Sequence, residues 1–260
     1  MKVLIRIIRF FTQFIKRSNR HKYSEPELFS RVEKVKGFSL EIMKKSHVIC
    51  VGIGGIGSWI PVLLAKSGTG TISIVDPDDI EPSNISKTLF SINDISKPKV
   101  TILKREIQKQ SPLPIKVNTE KTWFHNVPQS FSTHPPSLYA AAPDNNKARN
   151  DVSDIARKQR IPALFVGASE DGEMGYVFLQ MPGQACFRCF MTSSQLGAMP
   201  CAPANSARFV ILAGTLVDAA WQILCGINIK WNRALYNFKG TVEFNRLIPR
   251  QNCICQGERK

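Results

Sequence analysis

The stretch GIGGIGSW, residues 52–59, closes an apolar run, HVICV. Gly52, Gly54 and Gly57 satisfy G-x-G-x-x-G where a strand would pass into a helix. Glycines let a chain turn tightly and come close to a phosphate, and the N-terminus of the helix that follows attracts the anion. Asp76 stands 19 residues after Gly57, at the end of the next apolar run, TISIVD. A carboxylate there can hold ribose hydroxyls. Taken alone, the turn suits a dinucleotide, as in a dehydrogenase, and a lone ATP equally well.

Strands and helices alternate outward from this turn. HVICVGI reads as a buried strand and GIGSWIPVLLAKSG as a helix closed by Gly68 and kinked or tightened early by Pro61. TISIVD is a second strand, and DPDDIEPSNISKTLF a long polar connection. KPKVTILKREIQKQS is a helix, IKVNT a third strand, SLYAAA a fourth, DNNKARNDVSDIARKQR a helix and PALFVGAS a fifth strand. The alternation predicts an α/β fold, a Rossmann-like, doubly wound, mainly parallel sheet. EMGYVFLQ adds a strand. An irregular, Cys-containing segment covers 182–204, SARFVILAGTLVDAAWQILCG is an apolar helix, and ALYNFKGTVEFNRLI a hairpin turning at Lys239–Gly240. This gives a basic helical segment (1–45), a nucleotide-binding core (46–181) and a C-terminal antiparallel extension (182–260), all in one globular unit.

The residues around the turn separate the two nucleotides. The turn carries a glycine doublet, Gly54–Gly55, followed in order by VDPDDIEPSNISK, SKPKV and AAAPDNNKAR. Together these resemble the ThiF/MoeB/HesA family, relatives of the ubiquitin-activating enzymes, over roughly residues 28 to 255. The resemblance implies ATP-dependent adenylation of a carboxylate. Gly55 would approach the phosphates, Asp76 bind ribose, and Asp78 and Asn84 line the pocket. Lys99 would contact phosphate, and Asp144, with Asn145 beside it, would lie near the α-phosphate and help hold Mg2+. The chemistry agrees, because expelling pyrophosphate needs cations where negative charge builds up and two like-charged reactants held in line. The family's arginine after S-N-[LI]-x is Lys87 here, which keeps the charge and loses the bidentate fork. In isolation Lys87 and Lys99 would pass for a solvated loop residue and a helix start. Upstream, LFSRVEKVKGF resembles the family's R-Y-S-R-Q segment, with Arg31 at its second arginine and Leu28 at its first. That implies a homodimer in which Arg31 reaches the partner's ATP site; a surface arginine is the plainer reading.

Cys186-Phe-Arg-Cys189 is a C-x-x-C knuckle, and Cys253-Ile-Cys255 follows 64 residues after Cys189. In the family two C-x-x-C pairs, similarly placed, bind one structural zinc. Four thiolates suffice for a tetrahedral Zn2+, and the shorter C-x-C bite can still chelate; a reduced knuckle or redox chemistry is the other reading. Cys201, in AMPCAPANSARF, matches a cysteine that in several relatives forms a thioester or persulfide. A thiol near a helix N-terminus is acidified, which suits a nucleophile. A structural or nonessential thiol fits the same position. Cys50 and Cys225 read as core residues, and the four histidines show no ligand spacing.

With 260 residues and 43% hydrophobic content the chain can bury one sizeable core. No apolar run reaches 18 residues, so no transmembrane helix is expected. The net charge of +15 favours acidic partners such as nucleotides, nucleic acid or anionic membrane. Residues 1–22 carry seven Lys or Arg and no acid, with Val3, Leu4, Ile7, Ile8, Phe11, Phe14 and Ile15 on one helical face. Such a helix packs on its own domain or a dimer partner, lies on a membrane surface, or acts as an organelle presequence. Seven cysteines without an export signal point to a reducing compartment and a cytoplasmic protein. The expected partner is a small ubiquitin-like or sulfur-carrier protein, or a precursor peptide. Two alternatives stand: a tRNA-modifying dehydratase of the threonylcarbamoyladenosine-cyclising type, which the charge would suit, and a non-catalytic nucleotide-binding scaffold. A dehydrogenase leaves Lys99, Asp144 and the cysteines without purpose.

Overall fold

The computed structural model describes residues 23–128, 131, 135–191 and 205–256. Eight strands form one sheet in the order β3-β2-β1-β4-β5-β6-β7-β8. β1 (His47–Val51), β2 (Thr71–Val75), β3 (Lys116–Glu120), β4 (Leu138–Ala141) and β5 (Ala163–Ala168) run parallel. β6 (Met174–Gln180), β7 (Arg233–Asn237) and β8 (Thr241–Asn245) continue the sheet antiparallel. The mainly parallel sheet and its antiparallel extension are those expected from the sequence.

Every residue of β1 and β4 is buried, as parallel strands covered on both faces must be. Successive side chains alternate between two cores. Val48 and Cys50 join the core beneath α3 (Ile60–Lys66), α4 (Lys99–Gln110) and α7 (Ser206–Leu224). Ile49 and Val51 join the core beneath α5 (Asn146–Gln159) and α6 (Phe187–Phe190). A small third cluster seats α1 (Glu25–Phe29) and α2 (Leu40–Lys45) through Phe29, Leu40 and Leu113.

One expectation is corrected. The helix after the glycine turn begins only at Ile60, and Pro61 sits in its first turn. Proline is favoured there, because its missing N–H would have had no helical partner; it opens the helix and does not kink it. Among the described residues α7 passes the length and composition of a membrane-crossing helix, a test that the core helix of a globular protein also passes. Arg208 and Asp218 interrupt the run without making the helix polar. Here α7 lies against α3, β5 and β6 and buries Phe209, Leu212, Leu216 and Val217. The basic stretch 1–22 lies outside the described residues.

Candidate active site

β1 and β4 are neighbours, yet β1 leads on to β2 on one side and β4 to β5 on the other. At such a switch point a crevice opens beyond the carboxyl ends of the strands. A cleft of about 360 Å3 lies there. The segment after β1 supplies its floor. Gly52 has φ +84, and a Cβ on it would sit 2.5 Å from the Pro143 nitrogen. A Cβ on Gly57 would lie 1.9 Å from the Gly52 carbonyl oxygen, so these two glycines let the turn close on itself. At Gly54 an added Cβ would meet nothing within 4 Å, whereas at Gly55 it would strike the Phe209 ring at 2.3 Å. Gly54 is therefore the glycine with open space beside it.

Asp76, at the end of β2, is almost wholly buried. Its two oxygens accept the backbone N–H groups of Ile53 at 2.6 Å and Asp78 at 2.9 Å. The carboxylate thus ties the glycine turn to the start of the long connection. Burial is the largest influence on Asp76 and raises its pKa, against Lys99 and these two N–H donors. Lys99, first residue of α4, is also buried, with its ammonium 2.7 Å from Asp78 and 3.7 Å from Asp76. Burial acts to lower the Lys99 pKa; Asp76, Asp78 and Asp144 more than offset it, so the pKa is raised and the group stays cationic.

Ten sequence-predicted residues line this cleft: Gly52, Gly54, Gly55, Asp76, Asp78, Asn84, Lys87, Lys99, Asp144 and Asn145. Gly57 supports it from behind. Asn84 and Asn145 have local duties as well. The Asn84 side-chain Oδ1 accepts the Glu81 N–H at 3.0 Å, and the Asn145 Oδ1 caps α5 by accepting the Ala148 N–H at 2.8 Å. Asp144 is exposed at the mouth, and Asn145 donates to it at 3.4 Å. Arg31 is exposed beside a short 3-10 turn and is not among the residues lining the cleft. Cys201 lies outside the described residues. Phe209, Trp123 and Arg149 also line the cleft and were missed. In sequence Phe209 reads as one more apolar residue of α7, and Arg149 as a polar residue of α5.

On the α5 side, Cys186, Cys189, Cys253 and Cys255 converge, with all four sulfurs within 4.8 Å of one another. Cys186 lies 3.5 Å from Cys253 and 4.0 Å from Cys189, and Cys189 lies 3.5 Å from Cys255. Thiolates at about 2.3 Å around a tetrahedral zinc stand roughly 3.8 Å apart, so the set fits that ion. Burial pushes Cys186 well above the ordinary thiol range, and Cys255 to about 11. It pushes Cys253 up too, but hydrogen bonds from the Cys255 backbone and the neighbouring thiols win, leaving about 7. The Arg250 N–H donates to Cys189 Sγ at 3.4 Å.

Residues 28–256 match the ThiF family. The chain belongs to that family. Among curated relatives of this ThiF-family chain, the sulfur carrier protein adenylyltransferase of Thermus thermophilus is 28% identical over 228 residues, 83% of each chain. The sulfur carrier protein ThiS adenylyltransferase of Bacillus subtilis is 26% identical over 207 residues, 78% of this chain and 58% of its own length. The tRNA threonylcarbamoyladenosine dehydratase of Haemophilus influenzae is 35% identical over 133 residues, about half of each chain. The relatives are thus enzymes, adenylyltransferases among them. The crystal structure of E. coli MccB shares the fold with a TM-score of 0.74 at 19% identity, over 89% of this chain and 72% of that one.

Proposed function

We propose that this chain adenylates the C-terminal carboxylate of a small ubiquitin-like or sulfur-carrier protein, or of a precursor peptide. The carboxylate would attack the α-phosphate of ATP and pyrophosphate would leave. One observation carries the reading. A buried cation, Lys99, shares the cleft with a glycine turn that Asp76 ties down by accepting two backbone N–H groups. A dehydrogenase has no use for a charge fixed there; a reaction that gathers charge on departing phosphates does.

Each residue then has a task. Gly54 and the turn N–H groups would receive the phosphates, Asp76 the ribose, and Lys99 and Lys87 the charge that builds up on the leaving group. Asp78 holds Lys99 in place. Asp144, the exposed carboxylate at the mouth, would hold Mg2+, which supplies charge neutralisation along the phosphates. The four cysteines would hold a structural Zn2+ away from the chemistry. Arg31 would act across a homodimer, and the Cys201 thiol would attack the acyl-adenylate to form a thioester, with AMP leaving. Loss of pyrophosphate exchange in Arg31→Ala with the fold intact supports the first of these. A reducible adduct that survives Cys201→Ala removes the second.

Calorimetry with Mg-ATP and NAD is the direct test. ATP should bind, NAD should not, and Asp144→Ala should weaken ATP about tenfold or more. Binding of NAD alone would sink the proposal. The dehydratase-named relative and the +15 charge favour a second reading, action on tRNA. That reading predicts tRNA affinity falling steeply with salt; no binding near physiological salt removes it.

A further inference from the structure

A nucleotide in the cleft has three parts, and the glycine turn and Asp76 serve two of them. The sheet order β3-β2-β1 sets the direction of the third. Gly54 follows β1 and Asp76 follows β2. A nucleotide with its phosphates over the first and its ribose over the second carries its base on toward β3. Trp123 stands there, just beyond the end of β3 at Glu120, and lines the cleft.

Among the described residues two aromatic rings line this space. Phe209 is 3% exposed and covers Gly55. Trp123 is 50% exposed, yet the chain on either side of it is anchored. Before it, the Asp76 N–H donates to the Glu120 carbonyl at 3.2 Å, and Lys121 pairs with both oxygens of Asp79 at 2.7 and 2.9 Å. After it, Phe124 is buried and set edge-on to Tyr139 of β4, with centroids 6.1 Å apart. The Asn126 N–H donates to the Trp123 carbonyl at 2.9 Å. An exposed apolar ring on a fixed backbone gives up little freedom when it is covered. The flat, heteroaromatic base is the part of a nucleotide that would cover it.

We propose that Trp123 is the base-selecting residue of the cleft and that its indole stacks on the purine of the bound nucleotide. The proposal rests on the reading of the cleft as an ATP site. Stacking reads the face of a base and not its hydrogen-bonding edge. Trp123 therefore favours a purine over a pyrimidine and adds nothing to the choice between ATP and GTP.

The test is calorimetry on the full chain with Mg2+ and four probes: ATP, GTP, CTP and tripolyphosphate, which has no base. Wild type should bind ATP more tightly than CTP. Trp123→Ala should weaken ATP and GTP alike by about tenfold, as loss of one stacked base does. It should narrow the gap to CTP and leave tripolyphosphate unchanged. Trp123→Phe, which keeps a ring, should recover most of the loss. Unchanged ATP affinity in Trp123→Ala overturns the proposal. So does an equal loss of ATP and tripolyphosphate, which would mean that the cleft as a whole had been disturbed, or a wild type that binds CTP as tightly as ATP. If wild type binds tripolyphosphate and ATP no tighter, the phosphate site stands and the role of Trp123 alone is refuted. If it binds neither, the nucleotide reading falls and takes that role with it.

Discussion

The four glycines of the turn are not equivalent, and a single methyl group separates their roles. On Gly57 it would meet the Gly52 carbonyl at 1.9 Å, and no side chain stands between them to move aside. Gly57→Ala should therefore lower stability by about 2 kcal/mol or more, the scale of forced overpacking. On Gly54 the methyl meets nothing within 4 Å, so Gly54→Ala should unfold within about 0.5 kcal/mol of wild type. It should nevertheless bind Mg-ATP more weakly, because the added carbon projects into the space that a phosphate would use. Urea unfolding and calorimetry on the two variants check the pair. Equal affinity for ATP in wild type and Gly54→Ala would remove Gly54 from the phosphate site. The family pattern singles out Gly55 beside the phosphates; the neighbours of each Cα instead leave the open space at Gly54 and put Phe209 against Gly55.

At the scale of elements, the long connection from β2 to α4 decides where Lys99 points. It is sewn down by main-chain bonds, Ile80 N–H to the Lys97 carbonyl at 2.9 Å and Lys99 N–H to the Asp78 carbonyl at 3.1 Å. Asp94 anchors its middle, accepting from the Ser91 hydroxyl at 2.7 Å and pairing with Arg105 of α4 at 3.0 Å. Burial pushes the Asp94 pKa up, but Ser91 and Arg105 outweigh it and hold it below the usual carboxylate range. A depressed folded pKa gives stability that is present above the unfolded value of about 3.9 and is lost as pH falls through the folded one. Asp94→Asn should thus be less stable than wild type at neutral pH, and the gap should close in acid. Urea midpoints across that range check it; a gap independent of pH would mean that the charge contributes nothing. Much of this connection was legible in sequence, since D-P-D-D-I-E-P-S-N carries the family pattern and S-K-P-K-V marks the helix start. The strand and helix order was legible too, because buried parallel strands are short apolar runs bounded by turn residues. Phe209 and Arg149 were not. Each sits in an element where its type is ordinary, and its place beside the cleft comes from strand pairing and helix packing between distant segments.

For the whole molecule, the cysteine cluster joins the last described turn, Ile254–Gln256, to the knuckle that packs on the helix with Asp144 and Asn145 at its head. Arg188, between the two knuckle cysteines, pairs with Asp154 of α5 at 2.7 Å. Gln180 binds the same helix from below, accepting from Ser153 at 2.6 Å and from the Phe187 N–H at 2.9 Å. The first bond is half exposed and worth about 1 kcal/mol or less; the second set is buried, and losing it leaves unpaired groups costing about 1–3 kcal/mol each. The knuckle is therefore held on α5 by Gln180 even when no ion is bound, whereas the tail reaches it through the cysteine sulfurs and through Arg250, whose guanidinium donates to the Arg188 and Met191 carbonyls. It follows that a metal should stabilise the tail far more than the cleft. On the proposed structural zinc, purified protein should carry about one zinc per chain. Cys253→Ser with Cys255→Ser should lose the zinc, unfold at lower temperature and become open to proteolysis beyond β8, while keeping Mg-ATP affinity within about threefold, since the anchors of α5 remain. Gln180→Leu should show the opposite balance, with zinc retained and ATP binding weakened as α5 shifts. A wild-type protein free of zinc, or a double variant that loses ATP binding along with its tail, would show that the cluster and the cleft are not divided in this way.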